Sequence, residues 1–557
     1  MASPSSHRAP VRVTVVTALA AAAAMAAVLS GSACTKVSTG GPLSSRAVPG
    51  VVRIVGIGSM DNMVPELSAT IAAVDVGMFW AGWFFIVNDQ GQLEPDLATE
   101  VPTLSNGGIS KDGLTIRYHL RRGVTWHDGV AFTARDAIFT WRLIMNPNNN
   151  VLSRTGYDQV ASMDAPDPYT LVVHLKRPYS PVIAALFSMS GTPMCVLPEH
   201  LLRGLPDINH VAFNNKPVGT GPFMVEHYDP QSGVDLIANP HYWRGPPKLH
   251  EVHIIFAQDD STRIVMMRTG EADLFYDPAS RVVPELAGIP DTRGLHTPFE
   301  EFWYLDFNLK RPPLDDLRLR RAIVMAVDRQ SIIRDLLHGY ATIANGDQPP
   351  FSWAHDPSTE APSYDPVGAA RLLDQAGWEL GADGVRRRNG RPLTLVYAYS
   401  VNSGDGVRYG PIFQNVMRQL GIIVSVKGYP DSLFYAAKQS GGILQNGKFD
   451  VSYQGWIGGI DPDDRALWAC DQQPPNGYNT SFLCDRRVDE QERIAMTSYD
   501  LKTRKAAYAR IQELLNADLP VDFLYWSMRN DSVRSELRNY LPAPVVTEFW
   551  NSWKWSI

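Results

Sequence analysis

The chain has 557 residues, with 51 Lys and Arg against 58 Asp and Glu for a formal net charge of −7. Its composition, 45% hydrophobic and 20% charged, is that of a globular protein too long for one core, so two or three domains are expected. No Lys/Arg block or basic stripe is present, which argues against nucleic acid as a partner. The 14 Trp and 21 Tyr supply rings for cores and for the lining of a cleft.

In chain order, residues 1–33 read as an export signal. His7, Arg8 and Arg12 make a positive end, Val13 to Leu29 is an Ala-rich apolar run, and Ser30, Gly31, Ser32 and Ala33 form a small-residue cleavage region. The apolar run is about 17 residues, marginal against the ~20 needed to span a bilayer. Cys34 follows directly and resembles the lipidated Cys of a bacterial lipobox, with Gly31 where Leu is usual; an ordinary cleavage site would look similar. Residues 34–50 are small, polar and Pro/Gly-rich, as in a flexible tether. No second long apolar run follows, so the remainder is expected to be soluble and monomeric, held at the outer face of the cell membrane by its lipid or free in the periplasm or cell-wall space.

Val51 to Ile57 reads as a strand and Ser68 to Trp83 as a helix ending in an aromatic run. Leu114 to Leu120 alternates with a period of two, as a half-buried strand does. After a His127-Asp128-Gly129 turn, Thr133 and Asp136 form a capping-box variant ahead of a helix. Further strands are expected at Leu171–Leu175, beyond the Gly219–Phe223 turn, and at Val252–Phe256, with a short helix ending at Thr269. Phe299 to Asn308 is a long extended segment, and Asp316 to Leu337 an amphipathic helix. Asp365 to Trp378 is a helix closed by Gly377. A strand at Leu393–Tyr399, a helix at Pro411–Leu420, a strand at Ile422–Lys427, a helix at Lys502–Leu515 and a strand at Val521–Trp526 complete the α/β pattern.

Motifs of chemistry are few. There is no GxSxG elbow; the His pair in His250–His253 is wrongly spaced for zinc, and Gly442–Lys448 matches a P-loop until Phe449 replaces its Ser or Thr. No catalytic residue, metal site or cofactor is therefore assigned. Cys470 and Cys484 flank a Pro-, Asn- and Gly-rich loop and are expected to form a disulfide in an exported protein. Cys195 sits in an apolar stretch and reads as a buried thiol; metal ligation by these cysteines lacks a partner set. Asp461, Asp463 and Asp464 cluster, and could face a ligand, form part of a glycosidase pair, or be an Asp-Pro turn with solvated neighbours; for Ca²⁺ the spacing lacks the Gly and terminal Glu of an EF-hand.

Several segments, in order, resemble the large extracytoplasmic solute-binding proteins of family 5, which feed oligopeptide, dipeptide and nickel ABC importers. They include residues 118–141 (YHLRRGVTWHDGVAFTARDAIFTW), 217–228 (PVGTGPFMVEHY), 239–256, 268–274, 306–329, 364–378, 449–464 (FDVSYQGWIGGIDPDD) and 506–526. The resemblance implies a two-lobed clamp of the periplasmic-binding-protein type II kind, with residues 51–300 plus 528–557 as a discontinuous first lobe and 301–527 as the second. An inserted subdomain near 95–215 and crossing segments near 300–308 and 522–530 are implied with it. His127, Asp128, Gly219 and Gly221 would hold turns.

By position in the family, the cleft would draw on Ser59, Asp61 and Asn62, Trp80 and Trp83, Trp303 and Tyr304, Tyr399 and Asn402, and Tyr453, Trp456, Gly458, Gly459 and Asp461, though core or turn roles are open for each. The implied cargo is a small solute, first a short peptide, with a metal chelate, saccharide or opine as alternatives. The implied partners are ABC permease and ATPase subunits; a secreted hydrolase using the 461–464 carboxylates is the rival. Peptide-binding members place an Asp three residues after the cleft Trp to pair with the peptide's amino group. Here Trp456 is followed by Ile457, Gly458 and Gly459, so either Asp461 takes that role or the ligand lacks a free amino terminus.

Overall fold

The computed structural model describes residues 47–68, 70–190, 193–546 and 548–557. The export signal and Cys34 lie outside the described residues. One 11-stranded mixed sheet organises the described chain. Its order is Ile423–Tyr429, Thr394–Ser400, Val451–Ile457, Thr292–Phe307, Val521–Arg534, Leu274–Phe275, Val51–Val55, Glu251–Ile255, Gly233–Ala238 and Phe223–Asp229, with Ala341–Ile343 added beside Val521–Arg534.

Two long antiparallel strands, Thr292–Phe307 and Val521–Arg534, occupy the middle of this order and run through both halves. They pair from Thr292↔Arg534 to Pro298↔Met528, lose register, and resume from Phe302↔Trp526 to Asp306↔Val521. On one side of the break an apolar core gathers Val52, Ile54, Phe79, Phe223, Val252 and Phe549. On the other, one core packs Leu305, Ile323, Leu395, Phe413 and Val451 against one face of the strands, and a second packs Phe302, Tyr304, Trp468, Tyr508 and Phe523 against the opposite face. This is the alternation a strand buried on both faces requires. A fourth core, reaching from Phe84 to Val196, sits around a three-stranded sheet (Thr115–His119, Thr170–Leu175, Val160–Asp167) and the helix Ala134–Met145.

The local signals act where expected at Thr133: its side chain and that of Asp136 complete a capping box on Ala134–Met145. His127 holds its turn as a neutral imidazole, since the Gly219 N–H donates to Nδ1 (3.1 Å) and Nε2 lies 3.1 Å from the Gly221 carbonyl. Burial lowers its pKa to about 4. Gly219 and Gly221 are required by space, because a Cβ on either would stand under 3 Å from the Trp80 carbonyl.

Three helices depart from expectation. The helix of Ser68 to Trp83 is shorter, Ile71–Trp80. The Asp316–Leu337 helix ends at Ala326, because Val327 is extended and the Asp328 carboxylate then caps a new turn through Ser331, followed by a π-helical turn at Ile332–Leu336. The helix placed at Pro411–Leu420 begins earlier and spans Gly404–Gln419: Ser403 caps it at Gly406, and Tyr409, Phe413 and Met417 bury one face, which carries the helix through Pro411. The second crossing strand also runs eight residues beyond Trp526, since its partner strand continues alongside it.

Candidate functional site

The break in the crossing strands places Phe299, Glu300 and Glu301 opposite Ser527, where strand hydrogen bonds are suspended. Glu300 faces the protein. Its N–H donates to the Pro544 carbonyl, its Oε1 accepts from the Val546 N–H (3.2 Å), and burial raises its carboxyl to about 8. Glu301 is half-buried and accepts a hydrogen bond from the Ser527 hydroxyl (2.7 Å). Near it, Asp277, two residues beyond the strand Leu274–Phe275, lies in the left-handed region (φ 46°), with a carboxylate side chain 47% exposed. The adjacent cation, Arg529, is buried and already engaged. Its Nη1 donates to the Tyr276 hydroxyl (2.7 Å), it pairs with Glu548, and its guanidinium lies over the Phe299 ring, so Asp277 meets it only at 3.8 Å.

An aromatic wall adjoins these acids. The Trp303 ring stacks on Tyr453 at 4.9 Å and 24°. Gly455 makes room for it, as a Cβ there would come within 2.9 Å of the indole. Tyr453 in turn meets the Tyr525 hydroxyl and is itself 1% exposed, a support for Trp303. Tyr435 is half exposed, and burial, then the charges of Asp431 and Glu301, push its hydroxyl up to about 12. Asp431 accepts from the Ser400 hydroxyl and from the Asn402 amide (2.8 Å), which fixes the end of the strand carrying Tyr399. On the other face of the sheet Trp456 packs on the exposed Tyr478 at 5.4 Å.

The segment after Trp456 is tied into the fold by hydrogen bonds. The Gly458 N–H donates to the Glu300 carbonyl (3.1 Å), and the Ile460 N–H to the Ser190 hydroxyl (2.9 Å). Asp461 does not present a free carboxylate: Arg504 holds it with two hydrogen bonds, Nη1 to Oδ2 at 2.8 Å and Nη2 to Oδ1 at 2.6 Å. Asp464 is buried beside Asp347 and Glu492 and accepts from the Gln348 amide (3.2 Å). Asp463 accepts from the Arg465 N–H (3.3 Å), and burial followed by the charge of Asp461 raises it to about 6. All three acids have structural partners. Beside them a cavity of about 730 Å³ opens between Asp158, Arg177 and Tyr179 on one wall and Arg465, Arg486 and Arg493 on the other. It is bridged where Ser180 donates to the Ala495 and Met496 carbonyls (2.7 and 2.8 Å) and the Tyr499 hydroxyl to the Tyr179 carbonyl (3.0 Å).

The expected residues thus separate. Trp303 and, on the opposite face, Trp456 stand on the strands next to the break, with Tyr453 beneath Trp303; Gly458 bonds to Glu300 within the break, and Tyr399 and Asn402 belong to the end of the strand two places away in the sheet order. Trp80 and Trp83 do not line a cleft: at 0% and 1% exposure they belong to the apolar core. Tyr304 is likewise buried, against Phe302. Ser59 is exposed in the loop after the first strand, and Asp61 and Asn62 turn toward a different cavity. Glu301, Asp277 and Tyr435, near the break, were not among the residues the sequence pointed to; the signal available was a pair of acids, Glu300-Glu301, inside an otherwise apolar strand. Cys470 and Cys484 are bonded, and Cys195 is a buried thiol 3.7 Å from Glu66.

Two α/β halves joined by two crossing strands, with a polar and aromatic surface at the strand break, define a clamp-type binding protein. Residues 92–478 match the bacterial extracellular solute-binding proteins, family 5. Protein XP55 of Streptomyces lividans is 30% identical over 443 residues, 78% of this chain and 76% of that protein. Di/tripeptide-binding protein 2 of Pseudomonas aeruginosa is 26% identical over 486 residues, 83% and 87% of the two chains. The crystal structure of NikZ from Campylobacter jejuni in complex with Ni(L-His) superposes with a TM-score of 0.77 at 26% identity, covering 92% of this chain and all of that one. The chain belongs to the family 5 extracellular solute-binding proteins.

Proposed function

We propose that this protein captures a peptide-like solute between two lobes and presents it to the permease and ATPase subunits of an ABC importer. The lobes are residues 51–300 with 528–557, and residues 301–527, with the insertion near 95–215; the register break at Pro298–Phe302 is the hinge on which they close. The observation that carries the peptide reading is the pair Glu301 and Asp277 beside Trp303 and Tyr435. Carboxylates whose nearest guanidinium is engaged elsewhere match an ammonium group, and the rings match apolar side chains. Asp461, neutralised by Arg504, is not the amine receptor. The similarity to a di/tripeptide-binding protein supports the same cargo.

The hydrolase alternative is the weaker reading, because Arg504 engages both oxygens of Asp461 and Asp464 is buried beside Asp347 and Glu492. At the N-terminus, Cys34 carries the lipid that holds the protein, as a monomer, at the outer face of the cell membrane; labelling with radioactive palmitate, lost on Cys34→Ala, checks this.

A panel of di- to pentapeptides, free and N-acetylated, tests the ligand. Free peptides are expected to raise the melting temperature by mass action, and acetylation or Glu301→Gln to weaken binding by about tenfold or more. Stabilisation by a metal chelate, an opine or a saccharide whose binding Trp456→Ala abolishes, and by no peptide, overturns the peptide reading.

A further inference from the structure

Asp61 and Asn62 lie away from the crossing strands. The Met60 carbonyl beside them accepts from the Tyr228 hydroxyl (2.6 Å), at the end of Phe223–Asp229, the outermost strand of the sheet order on that side. There a cavity of about 520 Å³ is walled by Asp61, Asn62, Asn150, Asn209, His210 and Asn215. That volume is in the range of ~300–1,000 Å³ common to small-molecule sites.

The wall is built from three chain segments tied together by asparagines, Asn209 of the wall among them. Asn149 Oδ1 accepts from the Ile208 N–H (2.9 Å). Asn209 donates to the Asn148 carbonyl (2.8 Å) and accepts from the Asn150 N–H (2.8 Å). Asn214 donates to the Ile208 carbonyl (2.8 Å), and its own carbonyl accepts from the Met63 N–H (3.2 Å). With the frame held this way, other groups are left for a ligand. Among the described residues, Asn62 uses its Oδ1 alone, on the Val64 N–H, and Asp61 its Oδ1 alone, on the Ser68 hydroxyl. The side chains of Asn150, His210 and Asn215 are exposed and unengaged among the described residues.

Among the described residues no Lys or Arg lines this cavity and one carboxylate does, so it does not suit a phosphate or a carboxylate ligand. Primary amides both donate and accept, as hydroxyl groups do, and a carboxylate accepts from two of them. We infer that this cavity is a second binding site, independent of the interlobe cleft, for a polyhydroxylated molecule such as a mono- or disaccharide.

Saturation-transfer NMR and calorimetry with glucose and maltose on the full chain test it. Saturable binding of at least one sugar is expected, weakened about tenfold or more by Asn62→Leu combined with Asn150→Leu, with an unchanged melting temperature reporting an intact fold. Trp456→Ala, at the cleft, is expected to leave the sugar affinity unaltered. Absence of saturable binding by both sugars overturns the inference. So does sugar binding that Trp456→Ala abolishes and the asparagine variants leave intact, which places the sugar in the cleft. Because the cleft reading is tested with peptides and this one with sugars, each can fail alone.

Discussion

Arg504 closes a two-bond ion pair on Asp461, joining the helix Leu501–Asp518 to the segment that follows the cleft strand Val451–Ile457. The pair is nearly buried, with side-chain exposures of 9% and 13%, and Arg504 also donates to the Ala495 carbonyl (2.9 Å), whose neighbours Met496 and Tyr499 make the bridges to Ser180 and Tyr179. One guanidinium therefore fixes the cleft segment and the bridging turn together.

Removing one partner strands a charge. Asp461→Asn or Arg504→Met is expected to destabilise by about 3 kcal/mol, and the double variant by less than the sum of the two. Urea unfolding of the single and double variants measures this. Peptide affinity of Asp461→Asn is expected to stay within a few-fold of the parent; a loss as large as that of Glu301→Gln returns the amine to Asp461.

Gly455 is set by the ring above it. Gly455→Val drives a side chain into Trp303, whose stacking on Tyr453 leaves no room to retreat. A loss of about 1–3 kcal/mol is expected from overpacking, with a shift in tryptophan emission and weaker ligand binding. An unaltered emission spectrum and urea midpoint contradict this account of the wall.

Much of this architecture could be read from sequence because it rests on local signals. The Thr133–Asp136 box, the alternation at Thr115–His119 and the strand Thr394–Ser400 depend on neighbours a few residues away. The helix start at Ser403 was also local, but Pro411 looked like a beginning and hid it. The site was less legible for a physical reason: its deciding facts are tertiary. Nothing near Asp461 announces a partner 43 residues later. Nothing in the run Met78–Phe85 tells Trp80, covered by the Gly219–Gly221 turn, from a ring left for ligand. The charge of Asp277 reaches Glu301 only because the strand that precedes Asp277 and the strand that carries Glu301 flank the same crossing partner.

The Cys470–Cys484 bond spans 14 residues and pins a loop next to the helix Arg486–Thr497, where the Cys470 N–H also donates to Asp489 (2.8 Å). A loop of this size restricts the unfolded chain by about 3 kcal/mol in the chain-entropy account. Cys470→Ser with Cys484→Ser is expected to lower the urea midpoint by the corresponding amount without altering the denaturant slope greatly. Equal midpoints for parent and variant contradict it.

Several carboxyls are buried with raised pKa values, and together they add a component to the pH dependence of stability. Burial is the largest cause in each: Glu300 and Glu492 are raised to about 8, and Glu66, Asp306 and Asp522 to about 7. In the unfolded chain such groups lose their protons near pH ~4. Between that value and their folded values the native state binds more protons than the unfolded state, so stability falls as pH rises. Below the unfolded values both states are protonated and the contribution is fully present; above about 8 both are ionised and the loss is complete. The slope approaches about 1.4 kcal/mol per pH unit for each group that stays protonated when folded. Urea midpoints measured from about pH 5 to about pH 8.5 are expected to decline throughout and then level, the inverse of the profile of a protein held by ionised surface pairs. Glu492→Gln is expected to flatten the upper part of that decline, because a neutral amide in the same volume has no proton to lose. A midpoint that rises across this range shows that these carboxyls are ionised in the folded protein.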